Sequence, residues 1–241
     1  MSDETPASAP KPSAVELAKV ASDYLRGDIA RELVDGAAGF GKGSIQLLKN
    51  HGTYQQDDRE ARKAVDGKKS ERQISFMIRT CVPGGKLTAA QLLAAIDLGD
   101  EVGNGTIRLT TRQSIQHHGV VKGDLKPFMQ RVHDIQLTTL AACGDVERNI
   151  MCCPAPLHAS PVRAEMQATL DRLARHLAPR TRAYYEIWLT DPDTGEKTLA
   201  GGTSADKDVE PIYGPTYLPR KFKTAFALPE DNCTDVYSND L

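Results

Sequence analysis

Long apolar runs are missing from this sequence of 241 residues. None approaches the roughly 18 residues that a bilayer crossing takes, so no membrane partner is expected. An excess of either charge is missing too: 30 Lys and Arg stand against 32 Asp and Glu, a formal net charge of −2. A bulk polyanion such as a nucleic acid is therefore not an expected partner, and any anion site must come from local placement of Arg and Lys. No basic-then-apolar leader opens the chain. Met1 to Ser13 carries three prolines, Asp3 and Glu4; no secretory signal or organelle transit peptide is expected there, and the segment reads as a disordered tail, drawn over 1–22. The cysteines, at 81, 143, 152, 153 and 233, form no Cys-x-x-Cys pair. Zinc or cluster ligation within the chain is not expected, and no residue is assigned to a metal. Buried structural thiols are the reading for all five. An odd cysteine count without a leader fits a reducing compartment, so the cytoplasm is expected. No closing element precedes Leu241, and the sequence reads as a fragment.

What is present is an ordered series of strand and helix signals. Val15, Leu17, Val20, Tyr24 and Leu25 recur at roughly helical spacing. Ile45 to Leu48 reads as a short strand, and Tyr54 to Lys69 as a polar stretch ending in a basic linker. Ile74, Phe76 and Ile78 alternate with polar neighbours, which predicts a strand with one buried face. Pro83-Gly84-Gly85 ends it, and Thr88 with Gln91 forms a capping box for a helix whose apolar stripe is Leu92, Leu93 and Ile96. Thr106 to Val121 reads as a second strand. Asp124 caps a second helix, with Leu125, Phe128, Met129 and Val132 inward. A short strand is expected at Leu137 to Ala141, and a helix from Ser160-Pro161 with Val162, Met166, Leu170, Leu173 and Leu177 along one side. Ala183 to Thr190 reads as a strand, followed by a polar loop or hairpin. The fold class is α+β.

Chemistry concentrates in three places. On a single strand, Arg108, Thr110, Arg112, Ser114, Gln116 and His118 would share one face, a donor strip about 30 Å long. Such a strip suits an extended polycarboxylate, because Arg pairs bidentately with carboxylate; a solvated strand face has the same spacing. Lys221 and Lys223 would also share a face, where two amines about 7 Å apart repel by roughly 2 kcal/mol unless an anion sits between them. Arg148 and Asn149 follow a Gly144-Asp145 turn, where loops commonly position ligand contacts. The run Gly36 to Gly43 imitates a phosphate-binding loop, but Gly43 follows Lys42 where a hydroxyl is needed. It reads as a flexible turn.

Together these segments resemble the sulfite reductase hemoprotein family, within the siroheme-dependent sulfite and nitrite reductases. The resemblance is carried by Tyr24 to Gly27, His51 to Arg59, Pro83 to Gly85, Arg108 to Gly119, Cys143 to Met151, Leu177 to Tyr184 with Glu186 to Trp188, and Tyr217 to Thr224. It implies a ferredoxin-like half domain over 70–153, preceded by a wrapping segment at 23–69 and followed by the first part of a siroheme-binding domain at 160–241. It implies that Arg79, Arg148, Lys221 and Lys223 face the substrate anion, and that Arg108, Arg112, Gln116 and His118 contact siroheme, with Asn149 beside them. The implied reaction is six-electron reduction of sulfite to sulfide at siroheme, coupled to a [4Fe-4S] cluster, with ferredoxin or an NADPH-dependent flavoprotein as electron donor. The run Arg220-Lys-Phe-Lys223 resembles the sulfite branch; a ferredoxin-type nitrite reductase and a non-catalytic tetrapyrrole- or anion-binding module are the alternatives. The family's Cys-x5-Cys and Cys-x3-Cys cluster ligands are missing, so this chain alone is expected to be inactive. Cys153-Pro-Ala-Pro156 stands where the family often has Ser-Asn-Pro, and His117 where it usually has an apolar or aromatic residue.

Overall fold

The computed structural model describes residues 11–58, 72–155, 160–180, 187–201 and 210–241. Helix α1 (Ala14–Val20) starts at Ser13, whose hydroxyl accepts the Glu16 N–H. This corrects the tail expected through residue 22. Lys19 is 1% exposed and anchors the helix. Its amine meets Glu16 at 2.5 Å and Asp145 at 3.2 Å, and donates to the Leu218 carbonyl at 2.9 Å. A short helix α2 (Ile29–Glu32) follows. Ile45 to Leu48 is not a strand but part of helix α3 (Lys42–Leu48). Four apolar-rich residues do not distinguish the two, and burial of Leu47 and Leu48 settles it. The glycine-rich loop before α3 is anchored rather than flexible. Phe40 is buried in the core, its N–H donates to Gln55, and the Gly39 carbonyl accepts from Lys122.

The polar stretch after residue 53 contains an unforeseen strand, β1 (Thr53–Asp57). It pairs antiparallel with β2 (Ile74–Thr80), the strand that alternation predicted. Helix α4 (Ala89–Val102) begins with the expected Thr88–Gln91 capping box. Its buried side is Ala95, Leu98 and Gly99, while Leu92, Leu93 and Ile96 are 38%, 62% and 40% exposed. The stripe was therefore misplaced by part of a turn. The small residues Ala95 and Gly99 let the helix lie close to the sheet, and His117 bonds the Ala95 carbonyl at 2.7 Å.

The long strand expected over Thr106 to Val121 is a hairpin: β3 (Ile107–Leu109), a turn, and β4 (Ile115–Val120). Gln113 adopts φ +53° in that turn, and Thr110 closes it by accepting the Ser114 N–H on its hydroxyl. Helix α5 (Leu125–Asp134) buries Leu125, Phe128 and Val132 as expected, though Asp124 caps it without a side-chain bond. The strand expected at Leu137 to Ala141 shrinks to a bridge between Thr138 and Cys81, because β1 takes the rest of that edge of β2. The sheet order is β1-β2-β4-β3. Phe76, Ile78, Leu98, Val120, Leu125, Phe128 and Val132 form its core with the helices. Full burial of a residue such as Phe128 contributes about 2–3 kcal/mol. His117 and Val120 both face this core although three residues apart. The extra residue is taken up by a bulge at Gly119, whose φ of +81° a side chain would resist.

Helix α6 (Pro161–Leu177) is capped by Ser160 and packs Leu170, Met166 and Leu173 on Ile150 and Cys152. Val162, expected inward, is 53% exposed. A separate hairpin joins β5 (Ile187–Thr190) to β6 (Lys197–Gly201); the earlier part of that predicted strand, from Ala183, lies outside the described residues. The segment 218–226 runs beside 145–151 by isolated bridges, Glu147 with Phe222 and Met151 with Ala225, instead of forming a regular strand. Cys81, Cys143 and Cys152 are buried, but Cys153 is half-buried and Cys233 exposed, which corrects the reading of five buried thiols. No helix among the described residues is long and apolar enough to cross a membrane.

Candidate functional site

The sheet face opposite α4 and α5 is polar, and strand pairing explains why. Alternation places Tyr54 and Gln56 of β1, Met77 and Arg79 of β2, Gln116 and His118 of β4, and Arg108 of β3 on one side. Register then aligns Arg79 with Gln116 and Gln116 with Arg108, so three donors from three strands form one row. The Gln116 side-chain oxygen, with its amide oriented to satisfy both ends, accepts from Arg79 Nε at 2.9 Å and from Arg79 Nη2. Its nitrogen donates to His118 Nε2 at 3.3 Å. His118 Nδ1 lies 3.1 Å from the Gln56 oxygen, which fixes the proton on Nδ1 of a neutral ring. Burial and then Arg108 hold the pKa of His118 below its ordinary value. None of these seven face residues is acidic.

At the edge of the row the Arg79 guanidinium lies 5.8 Å from the centre of the Tyr54 ring and donates to Cys143 Sγ at 3.0 Å. Burial pushes the Tyr54 hydroxyl up to about 12, with Cys143 adding to the effect. Arg148 approaches the same pair: it opposes the rise at Tyr54, and its Nε donates to the Gly144 carbonyl at 3.1 Å. Arg79 and Arg148 are thus gathered around Tyr54 and Cys143. Arg148 also lines a cavity of about 300 Å³ with Lys19, Lys49, Asn50 and Tyr54.

The other expected residues take different places. Arg112 sits in the hairpin turn, where Nη1 donates to the Asn149 carbonyl at 3.3 Å and Nη2 to Asn239 Oδ1 at 2.5 Å. Burial lowers its pKa, as does Arg148, while Glu147 pulls the other way. It therefore does not share the row of Arg79, Gln116 and Arg108; the hairpin replaces the straight donor strip. Asn149 is 1% exposed and its amide is fully occupied. It donates to the carbonyls of Val82 at 2.8 Å and Arg112 at 2.7 Å and accepts from the Val82 N–H at 2.8 Å. Backbone pairing of Phe222 with Glu147 sets the lysine stretch beside Arg148. The Lys223 amine, however, donates to the Ser238 carbonyl, and Lys221 is exposed. Three neighbours escaped the sequence reading. Tyr54 opens a stretch that reads only as polar, with a basic linker at its end, though Tyr54 and Gln56 alternate with Thr53, Gln55 and Asp57. Cys143 was read only as a structural thiol. Glu147, 4% exposed beside Arg148, carries no local signal.

An α+β layer that turns a face of guanidinium, amide and imidazole groups away from its helices defines a class: a helix-backed antiparallel sheet with a donor-rich open face. The model for the nitrite/sulfite reductase ferredoxin-like half domain matches residues 70–135, and that for the nitrite and sulphite reductase 4Fe-4S domain matches 170–241. Relatives are named sulfite reductase [NADPH] hemoprotein beta-component. The one from Staphylococcus saprophyticus is 48% identical over 94% of this chain, that from Geobacillus kaustophilus 48% over 95%, and that from Myxococcus xanthus 47% over 96%. The chain spans 39% of the length of the first two and 40% of the third. The solved structure of the NirA protein of Mycobacterium tuberculosis aligns over 89% of this chain and 35% of its own, with a TM-score of 0.55 at 21% identity. The chain belongs to the nitrite/sulfite reductase family.

Proposed function

We propose that this chain is the anion-receiving part of a sulfite reductase that reduces sulfite to sulfide. The observation that carries the reading is the acid-free row of Arg79, Gln116 and Arg108 across three strands. The donors of the row fit siroheme, a polycarboxylated ligand: Arg108, Gln116 and His118 would hold its carboxylates, and Arg112 would join them from the hairpin turn by exchanging its bond to Asn239 for one to the ligand. Siroheme with a [4Fe-4S] cluster would pass the six electrons from the external donor to the substrate; the chain's own residues bind, orient and neutralise. Arg79 and Arg148 would hold the sulfite anion, and Lys221 and Lys223 would add positive charge as S–O bonds weaken. Fixed guanidinium groups suit this task because they stay charged at any working pH and need no reorganisation. An NADPH-linked flavoprotein is the donor that the relatives' names favour over ferredoxin. The domain limits follow the same reading: a half domain at 70–153 and the first part of a siroheme-binding domain from 160.

Anaerobic titration of the chain with siroheme, followed by its absorption spectrum, tests this. Saturable one-to-one binding is expected, weakened more than about tenfold in an Arg108→Ala, Arg112→Ala double variant. The chain alone is expected to show no sulfite-dependent oxidation of reduced methyl viologen. Absence of saturable siroheme binding to folded protein would overturn the reading.

A further inference from the structure

Cys153 and Cys233 lie far apart in sequence and outside the row of donors described above. The pairing of 222–226 with 146–151 brings them together. The Met151 carbonyl accepts the Phe226 N–H at 2.8 Å, so Cys153 emerges beside the turn that starts at Leu228. In that turn Asp231 donates its N–H to the Leu228 carbonyl and accepts the Cys233 N–H on Oδ1 at 3.2 Å. Cys153 Sγ meets the other carboxylate oxygen at 3.3 Å. The two sulfurs and a carboxylate oxygen of Asp231 all lie within 4.8 Å of one another.

The geometry points to a zinc-class metal site made by Cys153, Asp231 and Cys233. Two thiolates and one carboxylate form a soft, tridentate set, which selects zinc over magnesium or calcium. Tetrahedral zinc, with bonds of about 2.0–2.3 Å, needs its ligand atoms about 3.3–3.8 Å apart, a small contraction from this arrangement. Cys233 is exposed, so water can fill the fourth position. Charge balances as well. Three negative ligands, a divalent cation and the guanidinium of Arg163, which donates to Asp231 Oδ2 at 2.6 Å, sum to zero. A second observation is independent of the ligands' spacing. Among the described residues Arg163 Nη1 is buried without an acceptor in bonding geometry, although the Cys153 sulfur already acts on that guanidinium. A metal-bound thiolate would accept that N–H far better than a thiol does. Binding replaces the two S–H protons by the metal ion and releases both to solvent, with no change of oxidation state. The site would fasten the 228–235 turn to the strand-like run ending at Cys153 and to the start of α6.

Zinc ion alone, titrated into the reduced, metal-free 241-residue chain against a chromophoric chelator, tests the assignment. One equivalent should bind, and cobalt substituted for zinc should give thiolate-to-metal charge-transfer bands. Cys153→Ser and Asp231→Asn, each checked for native circular dichroism, should weaken binding by more than about tenfold. The exposed Asp193→Asn should leave it unchanged. Binding below one equivalent, or binding that survives both ligand substitutions, would overturn the proposal. So would a Cys153–Cys233 disulfide recovered from zinc-replete protein.

Discussion

Asn149 and Glu147 are neighbours in sequence with opposite fates. The amide of Asn149 bonds Val82 and Arg112, and it also accepts from the Cys81 thiol at 3.1 Å. It fixes the hairpin turn, and with it Arg112, against the end of β2. Truncating it orphans several buried groups, so Asn149→Ala should cost about 3 kcal/mol in urea unfolding. Glu147 bonds the Thr224 N–H through one oxygen, but its Oε2 is buried with no partner among the described residues. Burial pushes its pKa up to about 7, with Thr224 and Arg112 opposing. A carboxyl raised on folding contributes stability that is intact below about pH 4.5 and is lost as pH rises through 7. Glu147→Gln should therefore be near neutral at pH 4.5 and stabilising by about 1–2 kcal/mol at pH 8, read from denaturation midpoints at both pH values. Equal effects at the two pH values would count against a neutral, buried carboxyl. Arg148 and Asn149 were readable as a pair after a Gly-Asp turn. That Asn149 points into protein was not, because its partners come from residues 82 and 112.

At the scale of elements, α4 and α5 were legible because capping and spacing are local signals. The hairpin was not. Leu109-Thr-Thr-Arg-Gln-Ser114 contains no Gly, Pro or Asn, so nothing in it announces a reversal, and Gln113 takes the left-handed conformation without the usual residue. Two contacts hold it there: Gln113 Nε2 donates to the Cys152 carbonyl at 2.6 Å, and the Cys152 N–H donates back at 3.2 Å. The start of β1, beside the end of β2, has its own constraint. Gly52 has φ +73°, and a Cβ there would lie 2.6 Å from the Thr139 carbonyl oxygen and 2.9 Å from that of Arg79. Gly52→Ala should cost more than about 2 kcal/mol and move Arg79. Hydrogen exchange should show lost protection at the Arg79 amide, which bonds the Gly52 carbonyl at 2.9 Å. Unchanged protection there would argue against the strain.

Across the whole molecule, one buried amine joins three distant stretches. Lys19 ties α1 to Asp145 and to the Leu218 carbonyl, next to the segment that carries Lys221 and Lys223. Removing it leaves two carboxylates and a carbonyl without their cation. Lys19→Ala should cost about 3 kcal/mol, and limited proteolysis should cut earlier within 14–20 than in the parent chain. The sequence by itself determined what depends on near neighbours: the cationic stretches, the capped helices, the alternating strand and the family likeness. Only the tertiary structure decided which residues meet. Register across three strands set Arg79, Gln116 and Arg108 in a row, and long-range pairing brought Cys153 to Cys233. The physical reason is that hydrogen-bond register and burial are properties of two segments at once, and neither segment encodes its partner's position.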